Sequence, residues 1–420
     1  MSTESLSRED LACFTWQPDL DRSDYVLATY VLETPIDPEL AAVAIAKEQS
    51  MATLRLSAKG YESSSAMAAR LVSVEVHDAV VDRLLPGYKL TTEVYPESGI
   101  NGSMQRLSAT IAYPLPILSG SIIQLWNVVL GEIPRLGFLN AMRLVDLQTP
   151  PAFLAGFTGP RHGVPGLRAQ TTLGARPLLC RSCRPALGLS VEAMRAINDQ
   201  VLLGGFDAVK DDELTVAATP DAYRERLRTL AAATRAVEQH SGERKLYFAN
   251  VISDPDASLE QLRQAESAGV DGIIIAPAIQ GLASARWFSR HSELPILAHN
   301  TVDDIFTRHP RFGVSPAVYL KLLRISGADL VFLPGNFGTG NEDAAEIACA
   351  VAACLEPMGH IAPCWPIIAG GKRPEKLQDY VRQIGSRDFM VIAATAVDEH
   401  ADGLAAGARA FRNACSRLPP

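Results

Sequence analysis

The chain has 420 residues, 47% of them hydrophobic and 20% charged, a mixture typical of a globular protein long enough for two domains. Its formal net charge is −8, from 39 basic and 47 acidic residues, and no basic cluster indicates nucleic-acid binding. The first ten residues lack the basic start and apolar run of a signal peptide, and no apolar stretch is long enough to span a membrane, so we expect a cytoplasmic protein.

The first 148 residues mix strand-like and helix-like patterns. Apolar residues alternate with period two over 25–32 and 69–76, as in half-buried strands. A helix-like stretch runs from Pro38 to Ser50. We therefore predict an N-terminal α+β domain over residues 1–148, of ferredoxin-like type, with an antiparallel sheet.

After Pro150-Pro151, short apolar runs alternate with amphipathic helices. The runs are 177–183, 206–210, 245–251, 272–276, 295–299, 329–333, 365–369 and 389–394. Eight strands alternating with helices over about 270 residues predict a (β/α)₈ TIM barrel, here over residues 149–420. Catalytic groups of such barrels lie at the carboxyl ends of the strands.

The seven cysteines are an odd number spread over a large chain, which favours reduced thiols over a disulfide scaffold. Cys180 and Cys183 form a Cys-x-x-Cys pair, but it falls on a predicted strand and has no second pair. A redox or zinc role is therefore disfavoured.

Four residues at the end of the second barrel run, Lys210-Asp211-Asp212-Glu213, form an unusual charged cluster. If Lys210 reacts with CO2 it becomes a carbamate, and with Asp212 and Glu213 it would supply three hard oxygen ligands that suit Mg²⁺. Two other interpretations remain open. The cluster can be a solvated charge run, or Lys210 can be the Schiff-base lysine of a (β/α)₈ aldolase, although the adjacent carboxylates favour the carbamate.

The motifs around this cluster resemble the large subunit of RuBisCO. Residues 159–163, Gly-Pro-Arg-His-Gly, are similar to the family's Gly-Pro-x-His-Gly segment. Residues 176–190 are similar to its first-strand motif, which ends Lys-Pro-Lys-Leu-Gly-Leu-Ser, and 204–213 read Gly-Gly-Phe-Asp-Ala-Val-Lys-Asp-Asp-Glu at the spacing of its metal site. Departures from the carboxylases place the chain among the RuBisCO-like proteins, form IV of this superfamily.

The resemblance implies roles for residues at the barrel strand ends. It makes Lys210, Asp212 and Glu213 the Mg²⁺ ligands, with a CO2-derived carbamate on Lys210. His299 matches a histidine that contacts the substrate's hydroxyl groups. The further substrate-binding positions that it implies are Ser182, Asn250, Gly370 and Gly371.

The resemblance also implies a homodimer. Glu48 and Thr53 match an N-terminal segment that closes the active site of the neighbouring subunit in this family. We therefore expect a two-fold dimer in which both residues belong to the partner's substrate site. Higher assemblies of dimers are compatible with this expectation.

Several departures from the carboxylases concern lysines. Arg184 stands where the carboxylases carry the lysine that moves protons, and a guanidinium, which stays charged, cannot act as that base. Ala186 replaces the second lysine of the motif. In the loop after strand six, Thr339 lies near the position of a lysine that would stabilise charge on added CO2. Carboxylation of ribulose bisphosphate is therefore not expected.

Other departures reduce the phosphate sites. Asn300 replaces an arginine, and Phe332 replaces a histidine. Side chains replace the glycine nest after strand eight, where Asp398 and Glu399 would repel a phosphate if they point inward. Gly370-Gly371 survive beside Lys372, so one anion site can persist. We expect a sugar-derived substrate with one phosphate or a carboxylate.

These observations favour an Mg²⁺-dependent isomerase or lyase that stabilises an enolate or enediolate. Isomerisation needs a base, which the carbamate or His299 would have to supply, whereas decarboxylation needs none. Arg184 can hold a carboxylate or phosphate through two hydrogen bonds. The alternative is a catalytically silent homologue with a regulatory or stress-response role. The reduced phosphate sites favour that alternative, and the complete ligand set argues against it.

Overall fold

The computed structural model describes residues 11–53, 65–84, 94, 102–334 and 343–419. These residues form two compact units. The first combines Met1–Gly156 with a later segment, Asp304–Tyr319. The second contains Phe157–Asp303 and Leu320–Pro420.

A five-stranded sheet organises the first unit, in the order β10-β4-β1-β3-β2. β1 pairs antiparallel with β3 and β4, and β2 pairs antiparallel with β3. β10 joins the edge of the sheet parallel to β4. The strands are β1 Tyr25–Thr34, β2 Arg70–Ala79, β3 Gln105–Pro114, β4 Ala141–Gln148 and β10 Gly313–Val314. The predicted α+β domain with an antiparallel sheet is confirmed, and both predicted strands belong to the sheet.

The predicted helix after β1 spans Pro38–Glu48. It begins there because the Asp37 side chain accepts a hydrogen bond from the Leu40 N–H group and proline is favoured in a first turn. The other α-helices of this unit are Leu115–Leu118, Ile122–Leu130, Pro151–Leu154 and Asp304–Thr307.

A buried carboxylate ties the later segment to the sheet of this unit. Glu33, on β1, has a side chain only 1% exposed. Its Oε1 accepts hydrogen bonds from Arg106 at 3.0 Å and from the Nε of Arg311 at 2.9 Å, and its Oε2 accepts one from Asn140 at 2.8 Å. Arg311 lies in Asp304–Tyr319, so this carboxylate fixes the segment that carries β10.

The second unit is a closed barrel of eight parallel strands, in the order β11-β12-β13-β5-β6-β7-β8-β9. The strands are β5 Leu178–Ser182, β6 Ala208–Lys210, β7 Leu246–Asn250, β8 Gly272–Ile275, β9 Ile296–Ala298, β11 Leu330–Phe332, β12 Trp365–Ile368 and β13 Met390–Ile392. Each falls within one of the eight apolar runs, so the predicted TIM barrel is confirmed.

Large side chains fill the barrel interior. Alternate residues of each strand point inward, among them Phe248, Trp365 and Met390, all fully buried. Gly272 makes room for this packing, because a Cβ atom there would lie 2.4 Å from the Phe248 ring. The interior is therefore closed by packing, and only its ends can hold a ligand.

Helices surround the barrel and return the chain from each strand to the next. They are Gly163–Ala169, Val191–Leu203, Pro220–Ser241, Pro255–Ala268, Pro277–Gln280, Ala283–His291, Pro316–Ser326, Ala344–Leu355, Leu377–Ile384, Thr395–Asp398 and Leu404–Ser416. Among the described residues, none of the helices has the length and apolarity that crossing a bilayer requires.

Cys180 lies in β5 and belongs to the barrel core, and Cys183 follows the end of that strand. Cys180 and Cys183 are both fully buried and both free. Burial raises the pKa of each thiol to about 12, so both are neutral thiols at neutral pH.

Candidate functional site

A cavity of about 130 Å³ opens where the barrel strands end. Seven of the residues singled out in the sequence line it: Ser182, Arg184, Lys210, Glu213, His299, Gly370 and Gly371. Phe332, Ala394 and Thr395 complete much of the wall. The residues come from separate strand ends, which converge at one face because the strands are parallel.

Lys210 is the last residue of β6, and its side chain is only 2% exposed. Its ammonium group donates a hydrogen bond to the Asp211 carbonyl at 3.0 Å and lies 3.5 Å from Glu213 Oε2. That oxygen is buried, and no hydrogen-bond donor is aligned with it. A buried carboxylate oxygen that accepts no hydrogen bond depends on nearby positive charge, so this position suits a cation.

His299 follows β9 and faces the same carboxylate. Its Nε2 lies 3.1 Å from Glu213 Oε2, a close contact that is not aligned as a hydrogen bond. Its Nδ1 accepts a hydrogen bond from the Thr301 N–H group at 3.2 Å, and this bond places the hydrogen of the neutral ring on Nε2. The ring packs against Phe332 with 4.7 Å between the ring centroids.

The environments of these two side chains shift their pKa values downward. Burial lowers the pKa of His299, and the opposing effect of Glu213 is smaller, so the imidazole is neutral near pH 7. Burial opposes ionisation of Glu213, but His299 and the positive charge of Lys210 outweigh it and hold its pKa well below the ordinary value. The carboxylate is therefore charged across the physiological range.

Arg184 lies against Asp212, another carboxylate of the cluster. Its Nε donates a hydrogen bond to Asp212 Oδ2 at 2.9 Å, and Nη2 lies 3.9 Å from Glu213 Oε1. The other oxygen of Asp212 accepts a hydrogen bond from the Leu214 N–H group at 3.2 Å. The Asp212 side chain is 2% exposed, whereas that of Arg184 is 57% exposed.

The two carboxylates of the cluster fit a hard divalent cation only if Lys210 supplies a third ligand. Within the described ranges, no group of three or more His, Cys, Asp or Glu side chains is arranged to hold a metal ion. The cluster offers two carboxylates, Asp212 and Glu213, and one lysine. A carbamate on Lys210 would add the third oxygen ligand beside the Glu213 oxygen that accepts no hydrogen bond, and oxygen ligands are what Mg²⁺ prefers.

Asn250 is not among the residues that line the cavity. Its side-chain amide donates hydrogen bonds to the carbonyl groups of Asp212, Glu213 and Thr215, at 3.1–3.2 Å. All three bonds go to the loop that carries the carboxylates. In this structure the residue therefore orients the loop that carries the two carboxylates.

Asp211 supports the site from behind, a role not assigned to it from the sequence. It is fully buried and is not among the residues that line the cavity. Its carboxylate accepts hydrogen bonds from the Tyr247 hydroxyl and the Asn250 N–H group, both at 3.0 Å, and lies 3.4 Å from Arg226. Alternation along a strand end places residue 211 opposite residues 210 and 212, which is a signal present in the sequence.

The surviving glycine pair contributes backbone to the cavity wall. Gly370 and Gly371 both have positive φ, 75° and 60°, a conformation that favours glycine, and both line the cavity. Lys372 is buried and its ammonium group lies 5.4 Å from the centre of the Tyr380 ring. It does not line the cavity, so the anion site would consist of backbone N–H groups.

Asp398, which would repel a phosphate if it pointed inward, is neutralised. Its Oδ1 accepts a hydrogen bond from the Nε of buried Arg181 at 2.9 Å. Arg181 also donates to the Arg184 carbonyl at 3.1 Å, which fixes the backbone beneath the exposed guanidinium.

Three of the singled-out residues lie elsewhere. Glu48 and Thr53 belong to the first unit, where Glu48 accepts a hydrogen bond from Lys47 at 2.6 Å. Thr339 lies outside the described residues, as does the rest of 335–342.

Comparison with known proteins gives the ancestry of this arrangement. The profile for the ribulose bisphosphate carboxylase large chain, catalytic domain, matches residues 163–418. The profile for the N-terminal domain of the same chain matches residues 16–153. A ribulose bisphosphate carboxylase-like protein from Allochromatium vinosum is 30% identical over 402 residues, which cover 96% of this chain and 86% of the relative.

Solved structures of the same family are similar to this chain over nearly its whole length. A rubisco-like protein from Burkholderia fungorum has a TM-score of 0.83 and 27% identity, covering 94% of this chain and 95% of that one. A dimeric archaeal Rubisco from Hyperthermus butylicus has a TM-score of 0.81 and 27% identity, covering 96% of this chain and 92% of that one. With both domain profiles matched in order along its length, the chain belongs to the ribulose bisphosphate carboxylase large-chain family.

Proposed function

We propose that this protein is an Mg²⁺-dependent enzyme that forms an enolate or enediolate from a sugar-derived substrate, and that it is not a carboxylase. The observation that carries the proposal is the meeting of Lys210, Asp212 and Glu213 at one strand end, with a buried Glu213 oxygen that accepts no hydrogen bond. Packing alone gives no reason to bury two carboxylates and a lysine together.

The lysine would become a ligand by reaction with CO2. The Lys210 ammonium first loses one proton to solvent; the lone pair of the resulting amine then bonds to the carbon of CO2 and a second N–H proton leaves, so the side chain changes from a charge of +1 to −1. Mg²⁺ bound there would stabilise the negative charge that develops on the oxygens of an enolate. The two carboxylates and the carbamate would leave coordination positions open for substrate oxygens.

The surrounding residues favour decarboxylation over isomerisation. Arg184 stays charged and cannot take a proton. His299 directs its Nε2–H toward Glu213 and its Nδ1 toward Thr301, so neither nitrogen is a free base. With Glu213 bound to a metal ion, the Nε2–H group of His299 would be free to donate a hydrogen bond to a substrate hydroxyl or carbonyl. Loss of CO2 needs no base, because the departing group leaves its electron pair behind.

The cavity favours a small anionic substrate. Its volume of about 130 Å³ is below the roughly 300–1,000 Å³ of common ligand pockets. Exposed Arg184 and the Gly370-Gly371 backbone are the anion-binding groups of its wall. We infer a sugar acid or its monophosphate.

One observation favours a catalytically silent homologue with a regulatory or stress-response role. The guanidinium of Arg184 already forms an ion pair with Asp212, as it would in a purely structural role. Such a protein would form no Lys210 carbamate and would bind no metal at this site, so the test of the main proposal also decides this one.

We further propose that the active form is a homodimer in which Glu48 and Thr53 complete the partner's site. Exposed apolar side chains on the loops after β5 and β6 support this, because such side chains mark interaction surfaces. They are Leu187, Leu214 and Val216. The similar archaeal Rubisco is dimeric.

The central experiment is detection of the carbamate. With ¹³C-labelled bicarbonate and Mg²⁺, carbon NMR should show one protein-bound carbamate whose signal grows with the Mg²⁺ concentration. Lys210→Met should abolish it. Lys245→Met, which removes another buried lysine of the barrel, should retain it. A wild-type protein without the signal at saturating bicarbonate and Mg²⁺ would refute the proposal.

A screen would then identify the substrate. Sugar acids and their monophosphates should be incubated with protein, Mg²⁺ and bicarbonate, and release of CO2 and change of mass followed together. Mass-neutral conversion of a sugar phosphate would indicate isomerisation instead.

A further inference from the structure

Arg184 occupies an unusual position between the metal-binding carboxylates and the open cavity. One nitrogen, Nε, is bound to the buried Asp212, while the side chain as a whole is 57% exposed and lines the cavity. Its terminal nitrogens therefore reach the space where a substrate would lie. The guanidinium can meet either a protein carboxylate or a substrate anion.

We propose that Arg184 makes binding of Mg²⁺ and of a substrate carboxylate depend on each other. In the free protein the guanidinium holds Asp212. When both ligands are present, Asp212 turns its Oδ2 to the metal, and the guanidinium turns to the substrate carboxylate. This inference rests on the proposed function and assigns the substrate class, an acid whose carboxylate lies beside the metal.

Both oxygens of Asp212 already accept hydrogen bonds, and we therefore expect Mg²⁺ to bind weakly when no substrate is present. One oxygen accepts the Leu214 N–H group and the other accepts the Arg184 Nε–H group. Binding of Mg²⁺ to Oδ2 must therefore displace a charged donor or place it beside a second cation, and both are unfavourable. Arg184 also lies 3.9 Å from Glu213, so its charge acts on both carboxylates.

A substrate carboxylate removes this penalty. A guanidinium binds a carboxylate through two parallel hydrogen bonds, so the substrate replaces the contact that Asp212 gives up. The main chain does not need to move, because Arg181 holds the Arg184 carbonyl at 3.1 Å. Rotation of the Arg184 side chain is sufficient. The result is positive coupling between two ligands, which by linkage is the same in either order of binding.

The test is metal affinity, measured by calorimetric titration of Mg²⁺ at saturating bicarbonate, with and without glycolate. Glycolate is the probe because it carries a carboxylate and a hydroxyl. For the wild type, glycolate should tighten Mg²⁺ binding about tenfold. Without glycolate, Arg184→Gln should bind Mg²⁺ about tenfold to a hundredfold more tightly than the wild type, an effect reduced by the solvent exposure of Arg184. Glycolate should tighten the variant's binding far less.

Two further variants separate charge from geometry and from folding. Arg184→Lys keeps the charge without the planar pair of donors, and should keep weak metal binding while losing most of the coupling. Arg195→Gln is the matched control, because Arg195 is equally exposed at 57% and pairs with Asp199 at 3.4 Å outside the cavity. It should behave as the wild type.

The outcomes distinguish this inference from the proposed function. If the wild type and Arg184→Gln bind Mg²⁺ equally tightly and respond equally to glycolate, the coupling role is wrong and the metal site stands. If neither binds Mg²⁺ and neither forms the Lys210 carbamate, both proposals fall. Tighter binding by Arg184→Gln with lost coupling supports the role assigned to Arg184.

Discussion

Replacing Asp211 by asparagine should destabilise the barrel strongly, although this side chain touches no ligand site. The fully buried carboxylate lies 3.4 Å from Arg226, whose own side chain is only 5% exposed. The substitution leaves that guanidinium buried without its counter-charge. Loss of one partner of a buried ion pair costs about 3–5 kcal/mol. The new amide keeps the bond from the Asn250 N–H group only if its NH2 group faces the Tyr247 hydroxyl, which must then change from donor to acceptor.

The free energy of unfolding should be measured by urea denaturation followed by circular dichroism. Asp211→Asn should lose about 3–5 kcal/mol. The double variant Asp211→Asn/Arg226→Met should lose less than the sum of the two single losses, because it also removes the unpaired cation. Asp379→Asn is the control, since Asp379 is 44% exposed and pairs with exposed Arg382, and it should change the free energy of unfolding by less than about 0.5 kcal/mol.

A loss below about 1 kcal/mol for Asp211→Asn would refute this reasoning, since it would mean that the buried charge is not needed to balance Arg226. Full additivity of the two substitutions would refute it as well.

The remaining predictions concern activity, assembly and pH. Purified protein should incorporate no labelled CO2 into phosphoglycerate from ribulose bisphosphate, and incorporation above a no-enzyme control would overturn this. Sedimentation should show a homodimer, with an interface beyond roughly 2,000 Å²; a stable, active monomer would contradict it. Glu33→Gln should destabilise most near pH 7. Burial opposes ionisation of Glu33, but hydrogen bonds from Arg311 and Arg106 outweigh it and lower its pKa. Its charge therefore stabilises the fold above the unfolded-state pKa of about 4.3, and this stabilisation is lost as the pH falls through the lower folded-state pKa. Urea midpoints of wild type and variant should converge in acid, and an unchanged gap at pH 3 would argue against the role of Glu33.

The barrel was predictable because strands buried on both faces are continuous apolar runs. Each of the eight runs contains one strand of the closed barrel. The position of the candidate site followed from the same pattern, since Lys210 ends β6 and His299 follows β9. In such a fold the register of a strand fixes which residues reach its carboxyl end.

Side-chain pairing was less accessible from the sequence. The amide of Asn250 is committed to three carbonyl groups of the loop after β6, which no residue pattern reveals. The pairing of Asp398 with Arg181 depends on two residues far apart in the chain. The strand Gly313–Val314 has only two residues, too few to show a periodicity.

That short strand has a consequence for how the protein is made. The sheet of the first unit receives its last strand, and Glu33 its Arg311 partner, from a segment that the ribosome delivers only after strands β5 to β9. The N-terminal unit therefore cannot finish folding while it emerges. In a nascent chain stalled at residue 156 the first unit should be sensitive to protease, and it should become resistant in a chain long enough to expose residue 319. The two units are therefore interleaved in the order of synthesis as well as in the sequence.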